Sequence, residues 1–431
     1  MTSQPQERDG RLHVVVLNRW RERYADYGGY VDDTRHRVTY ITTEIGLGAV
    51  PENAVDVALV DATDDLAQVR PALAALVERN GPPQHIVALK EDDLMTAARL
   101  REDWSLPGPG PAAILPFRDK LTMCRAIAAA GLPLPDFTAV TGPRSVIALG
   151  ERAGWPLVLK PRVGSSSDGV TVVGGPDDLT ELPLLPGPLL PGPLLAQAFN
   201  PHPIHHVDGV FTGSALACAR TSRYINSCLG FRGGTFLGSV EVDDPVVDQA
   251  VKAATTAFLG ALTTAPTPFH LELFVQRQGD RVSCEFLEVG ARVGGSEIPF
   301  IWRELHGYDL MRAAFDLQLG RPAADPGPEA AAGEVGGWLL VPAPGDRPCR
   351  ITEATSMLGR HPGPYAEALL RPGEVLPDAA AYYEHVGGRF RFRGVSSAEV
   401  EAALTATAAR FRVSADPVEQ PRPRRVPEVT R

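Results

Sequence analysis

The sequence predicts a protein of mixed α/β and α+β class, and two patterns carry that prediction. Over the first ~110 residues, apolar runs of strand length alternate with helical patterns, which implies a doubly wound parallel sheet covered on both faces. Between Phe269 and Pro299, two short apolar strands joined by a polar turn run out into a glycine-rich segment, which is a hairpin signal and so antiparallel.

In the first region the strands are Leu12 to Asn18, Arg37 to Thr42, Val55 to Val60 and His85 to Leu89. Helical patterns cover Asp65 to Arg79 and Asp92 to Asp103, and residues 1 to 10 read as a frayed tail. The first strand runs into Arg19, Trp20 and Arg21 with no glycine until Gly28. The phosphate-cradling turn of a dinucleotide fold is therefore missing, and this domain should hold no nucleotide of its own.

Pro107 to Pro111 marks a linker. A helix follows from Arg118 to Ala130, stopped by Gly131 with Pro133 beyond. Lys120 sits in its first turn, where a cation opposes the helix dipole. Either a bound anion explains it or it is an ordinary solvated lysine. Leu157 to Lys160 and Val170 to Val173 are strands around the loop Gly164-Ser165-Ser166-Ser167-Asp168-Gly169. Such a loop offers backbone N–H groups and three hydroxyls to a phosphate, with Lys160 as a point charge at the strand end. A plain connection between two strands is the alternative.

The duplicated LPGPL stretch between Leu184 and Leu195 reads as an irregular surface connection. Leu195 to Phe199 is a strand, and His202, His205 and His206 read as turn histidines rather than metal ligands. Val207 to Cys218 gives two strands around Thr212-Gly213, with Asp208 in the first. Arg220, Arg223, Arg232 and Gly233-Gly234 form a less regular region that could line a cleft, and Pro245 to Leu262 is a helix. Beyond the hairpin, Leu310 to Leu319 is a helix and residues 322–333 are linker-like. Strands at Glu334 to Val341 and Arg350 to Thr352 precede an amphipathic helix over Val395 to Arg412, capped by Ser396 or Ser397. The last sixteen residues, rich in proline and charge, read as disordered. The expected domains are thus 1–110, 111–325 with a lid of about 132–200, a β-rich cap over 326–415, and a tail over 416–431.

The hairpin carries the chemistry. Each of its strands has an acid where a buried strand should be apolar, Glu272 in LEL and Glu288 in FLEV. With a three-residue loop, Gly279 to Arg281, the two acids are direct cross-strand partners on one face. Like charges facing across a ladder are destabilising, and buried unpaired carboxylates more so. A hard divalent cation between them resolves both problems. An exposed edge whose glutamates face water is the bland alternative. Glu285 lies an odd number of residues from Glu288 and is expected on the other face. Arg292 then places a fixed cation beside the bare backbone of Gly294 and Gly295.

Composition excludes some classes of function. The chain has 431 residues, 42 Lys plus Arg against 52 Asp plus Glu, and a formal charge of −10, which argues against a nucleic-acid binder. Its five cysteines are scattered, without metal spacing, and read as buried thiols of a reducing compartment. No apolar run approaches the ~18 residues of a membrane span, and the N-terminus resembles no signal peptide. The expectation is a soluble cytoplasmic protein.

Taken together, RDK at Arg118 to Lys120, AGLPLPDF, LVLKPRVGSSSDGV, VDGVFTGSAL, FHLELF and FLEVGARVGG resemble the ATP-grasp ligases in order. The resemblance implies a parallel α/β domain, two α+β subdomains closing on ATP, and a small β-rich C-terminal cap. It implies that Lys120 and Lys160 hold the ATP phosphates and that Gly164 to Gly169, with Ser165, Ser166 and Ser167, form a lid over them. Gln197, Ala198 and Phe199 resemble the hinge whose backbone reads adenine, and Asp208 is a substitute candidate for the ribose contact. Glu272 and Glu288 resemble the acids that bind Mg²⁺, with Mn²⁺ as an alternative, and Arg292 the cation at the reacting acyl phosphate. Gly290 stands where the family often has an asparagine; the EVGARVGG form resembles instead the branch containing L-amino-acid ligases, in which the two glutamates do most of the metal binding. The implied partners are a small carboxylate and an amine, in a chain that could be a homodimer. A carboxylase, a purine-pathway ligase or a non-catalytic ATP-binding regulator are the other readings.

Overall fold

The computed structural model describes residues 10–20, 24–180, 182, 184, 192–324, 333–345, 347–377 and 385–418. The first tail, most of the duplicated LPGPL stretch and the chain after 418 lie outside them. The chain divides into two compact units, one of residues 1–224 and 241–332, the other of residues 225–240 and 333–431.

In the first unit, β1 (Leu12–Asn18), β2 (His36–Thr42), β3 (Asp56–Leu59) and β4 (His85–Ala88) form a parallel sheet in the order β3-β2-β1-β4. Its apolar β1 is buried on both faces, as a parallel strand should be. Helices Leu66–Asn80 and Leu94–Asp103 pack Val69, Leu73, Leu76, Ala97 and Leu100 against Val15, Leu17, Ile41 and Ile86. The opposite face is completed from far along the chain. Helix Leu310–Gln318 brings Phe315 against Tyr27 and Tyr30, and Gln318 closes a two-way hydrogen-bond pair with the backbone of Ala88 at 3.0 and 2.6 Å.

A second sheet holds β5 (Phe137–Ala139), β6 (Leu157–Pro161), β7 (Thr171–Val173) and β8 (Leu194–Ala198) in the order β5-β8-β6-β7, all antiparallel. Helix Pro143–Ala153 covers it through Val146 and Leu149. Along the chain follow β9 (Ile204–Phe211), β10 (Leu216–Ile225), β11 (Leu237–Glu241), β12 (Thr267–Gln278) and β13 (Arg281–Gly290). In this unit the antiparallel order is β13-β12-β9-β10. His205 and His206 are strand residues of β9 rather than turn residues, and Arg220 and Arg223 lie in β10 rather than in irregular chain.

The second unit pairs β11 with β14 (Val335–Pro342). After β15 (Cys349–Ala354), β16 (Ala366–Leu369), β17 (Val375–Leu376), β18 (Val386–Gly394) and β19 (Val413–Pro417), its sheets have the orders β11-β14-β18-β16 and β17-β15-β19. Ser396 caps helix Ser397–Arg410 by accepting from the Glu399 N–H. The tail expected to be disordered from 416 begins instead as the end of β19, whose Pro417 stands opposite Cys349. Among the described residues, no helix is long and apolar enough to cross a membrane.

Candidate active site

The hairpin closes on two residues rather than three. Gln278 pairs with Arg281 around Gly279-Asp280, and Gly279 takes φ +64°, which glycine adopts without steric cost. That register alone would set Leu287 against Glu272. A bulge between the pairs Leu273–Phe286 and Glu272–Glu288 leaves Leu287 as the extra residue and restores the expected facing of the two acids. The same bulge overturns the expectation for Glu285. Paired with Phe274, it lies on the face of Glu272 and Glu288, and its Oε2 accepts from Asn200 Nδ2 at 2.8 Å.

Reading across the register shows one polar face. Asp208 stands beside Arg220 and His270, and His206 beside Ser222 and Glu272. Glu272 stands beside Glu288, and His270 beside Gly290. The intervening residues Val207, Leu271, Leu273, Phe286 and Val289 belong to the core.

Asp208 is 2 % exposed, and its two oxygens engage His206 Nδ1 at 2.7 Å and His270 Nδ1 at 2.9 Å. It is therefore not free to meet a ribose, and that expectation is corrected. Burial opposes its ionisation, but the two histidines hold its pKa well below the usual carboxylate range. Burial likewise disfavours the His270 cation, yet Asp208 outweighs it and raises the imidazole to about 9. The far nitrogen of His270 lies 3.4 Å from Glu272 Oε1, to which Tyr224 also donates at 2.7 Å. Burial works to raise the Glu272 pKa, and His270 and Tyr224 bring it below its ordinary value. A Cβ on Gly294 would collide with Asp208 Oδ1, so that position must be glycine, whereas Gly295 faces open space.

RDK sends three consecutive side chains in three directions. Arg118 Nη1 meets Glu91 Oε1 at 2.7 Å. Asp119 caps helix Lys120–Ala129 through the Thr122 N–H at 2.8 Å and holds Arg162 at 2.6 Å. Lys120 Nζ donates to the Gly164 carbonyl at 3.0 Å and lies 3.5 Å from Glu288 Oε2. Lys160 in β6 is 4 % exposed; burial lowers its pKa, an effect Glu288 opposes. The two lysines thus act on the same acid. In the serine loop, Ser166 and Ser167 both adopt left-handed backbone, φ +55° and +56°, at about 1–2 kcal/mol each.

At the hinge, Gln197 is 2 % exposed, the Ala198 N–H donates to Asp136 O at 2.7 Å and the Phe199 N–H to Pro156 O at 3.2 Å. Both amides are committed inside the fold and are not available to an adenine. Phe199 itself is exposed. Arg292 presents Nε and Nη2 to Glu91 Oε2 at 2.8 and 2.7 Å and donates from Nη1 to Val293 O at 3.1 Å.

Sequence reasoning set His206 aside as a turn histidine and missed His270, Tyr224 and Glu91. His206 and His270 had a signal, since HxD in β9 and HxE in β12 repeat with the strand period and put their polar residues on one face. Glu91 had none, because its partners lie far off in sequence.

The site's donors suit a divalent metal with phosphate. Glu272 and Glu288 present hard oxygens from facing positions, their side chains 14 % and 34 % exposed, beside two lysines. No protein-family profile matches the chain. A curated relative, an L-arginine-specific L-amino acid ligase from Bacillus subtilis, is 24 % identical over 271 residues, 61 % of this chain. The chain's match spans 64 % of that relative's length. An L-amino acid ligase structure from Bacillus licheniformis superposes with a TM-score of 0.70 at 17 % identity, covering 94 % of this chain and 98 % of the other. A biotin carboxylase in complex with β,γ-ATP from Campylobacter jejuni gives a TM-score of 0.64 at 14 % identity, covering 94 % and 92 %. With the acids, the lysines and the serine loop in the order those motifs demand, the chain has the ATP-grasp fold.

Proposed function

We propose that the chain is an ATP-dependent carboxylate–amine ligase, joining an amino acid to a second amino acid or small amine and releasing ADP and phosphate. The observation that carries this reading is the pair Glu272–Glu288, facing each other on a polar sheet face beside Lys120 and Lys160. The relatives named as L-amino acid ligases support it. Mg²⁺ held by Glu272 and Glu288 would neutralise phosphate charge and keep the terminal phosphoryl group in line. Lys120, Lys160 and the N–H groups of Ser165 to Ser167 bind the remaining phosphate oxygens.

The substrate carboxylate oxygen bonds to the γ-phosphorus as the bond to ADP breaks, giving an acyl phosphate. Arg292 binds the carboxylate and then the oxyanion that forms as the amine attacks. The C–N bond forms, the C–O bond to phosphate breaks, and the ammonium proton leaves to solvent. Amide and inorganic phosphate are the products.

The test supplies Mg²⁺-ATP with pooled amino acids, reads ADP and phosphate, and identifies the amide by mass. Release only with bicarbonate would make the chain a carboxylase. Tight ATP binding without release from any acid–amine pair would make it a binder.

A further inference from the structure

Glu91 belongs to none of the roles above. It leaves the end of β4 in the turn Glu91–Asp93, within the domain expected to hold no nucleotide. Its two oxygens are divided between two arginines: Oε1 takes Arg118 at 2.7 Å, and Oε2 takes both Nε and Nη2 of Arg292. Burial opposes its charge, and the arginines overcome that.

Gly290 carries the second observation. A Cβ built there would lie 3.3 Å from Glu91 Oε2, 3.4 Å from Arg292 Cγ and 3.5 Å from Arg292 Nε. A longer side chain at 290 would have to enter the space this ion pair fills. A side chain at 290 would press on this pair, most closely at Glu91 Oε2.

We propose that Glu91 is a positioning residue for amide formation, acting through Arg292, and that Gly290 is kept bare so that it can reach. This rests on the ligase reading. A guanidinium has five N–H donors in a rigid fork. Glu91 fixes the edge made by Nε and Nη2, and Val293 takes one hydrogen of Nη1. One hydrogen on each terminal nitrogen is left for an oxyanion, and the guanidinium cannot rotate away from it. The first domain thus supplies part of the acid-activating site, delivered from the carboxyl end of a parallel strand.

The experiment is a double-mutant cycle on the full chain, read as phosphate release with Mg²⁺-ATP and the amino-acid pool. Binding of a non-hydrolysable ATP analogue is measured alongside. Glu91→Gln should lower kcat/KM for the acid by about 30-fold with analogue affinity held within about twofold, and in an Arg292→Ala background it should cost less than about threefold. Gly290→Asn keeps every charge and guards against misfolding of the first variant. It should lower the rate about tenfold, again without weakening the analogue. Additive losses in the cycle would make Glu91 a tie between elements and overturn the positioning role, as would full rate in both single variants. A wild-type chain that releases no phosphate from any pool would overturn the ligase reading and this role with it. Wild-type turnover with full-rate variants overturns the role of Glu91 alone.

Discussion

Strands β9, β12 and β13 carry Val207, Phe269, Leu271, Leu273, Val275, Phe286 and Val289 on one side and His206, Asp208, His270, Glu272, Glu285 and Glu288 on the other. The apolar side stabilises by burial at about 25 cal/mol per Å². The polar side costs stability wherever it is dry and unpaired. It avoids most of that cost by grading its exposure: Asp208 at 2 % is hydrogen-bonded to two histidines, Glu272 at 14 % has His270 and Tyr224, and Glu288 at 34 % stays open beside a lysine. The difference teaches where chemistry can sit. The sealed end of the face satisfies itself, and the open end is left to a ligand.

The largest effect expected is on the open end. Glu288→Gln should reduce phosphate release by at least about a thousandfold, a loss of several kcal/mol of transition-state stabilisation, with the melting temperature nearly unchanged. Unchanged rates would remove Glu288 from the metal shell. On the other side of the same strands, Leu271→Ala should cost about 2–5 kcal/mol in urea unfolding while activity per folded molecule holds. A loss of activity without a loss of stability there would break the comparison.

Between about pH 6.5 and 9 the polar side should give stability a pH dependence through His270. His270 is raised from 6.5 to about 9 in the fold, so its contribution is complete below about pH 6.5 and is lost as pH rises through 9. For the metal-free chain this is worth up to about 3 kcal/mol, and His270→Asn should flatten the slope of the urea midpoint over that window. Leu271→Ala should shift the midpoint and leave the slope as it is.

Tyr224→Phe removes one hydrogen bond to Glu272 and should cost about 1 kcal/mol, seen as a several-fold higher Mg²⁺ requirement. Glu285→Gln should be the mildest, changing turnover by less than about threefold, because one Glu285 oxygen is already taken by Asn200 and a glutamine keeps that bond. A loss as large as that of Glu288→Gln would extend the metal shell to Glu285.

Much of the fold was legible. The strands β1 to β4 were readable because a parallel strand is apolar throughout, and the cap at Ser396 because it uses a local hydrogen bond. The facing of Glu272 and Glu288 and the approach of Lys120 to them join residues that stand out in the sequence, since each breaks an apolar pattern or opposes a dipole. Glu91 was not, since what gives it meaning is Arg292, brought to it by tertiary folding alone. Asp208 was misjudged because its two histidines come from different strands. That the Ala198 and Phe199 N–H groups are committed could not be read from the sequence, because their acceptors, Asp136 and Pro156, lie in separate segments.

The extra residue at Leu287 has a further consequence. In an unbroken strand Cys284, Phe286 and Glu288 would share one face, so a buried phenylalanine and a part-exposed acid could not both be served. One unpaired residue makes β13 run in two phases, apolar side inward up to Phe286 and acid side outward from Glu288. Packing near the hairpin tip and chemistry at its far end are thereby uncoupled. Substitutions at Cys284 and Phe286 that keep the two-residue turn and its register leave the acid in place, because the joint between the two phases lies between them and Glu288.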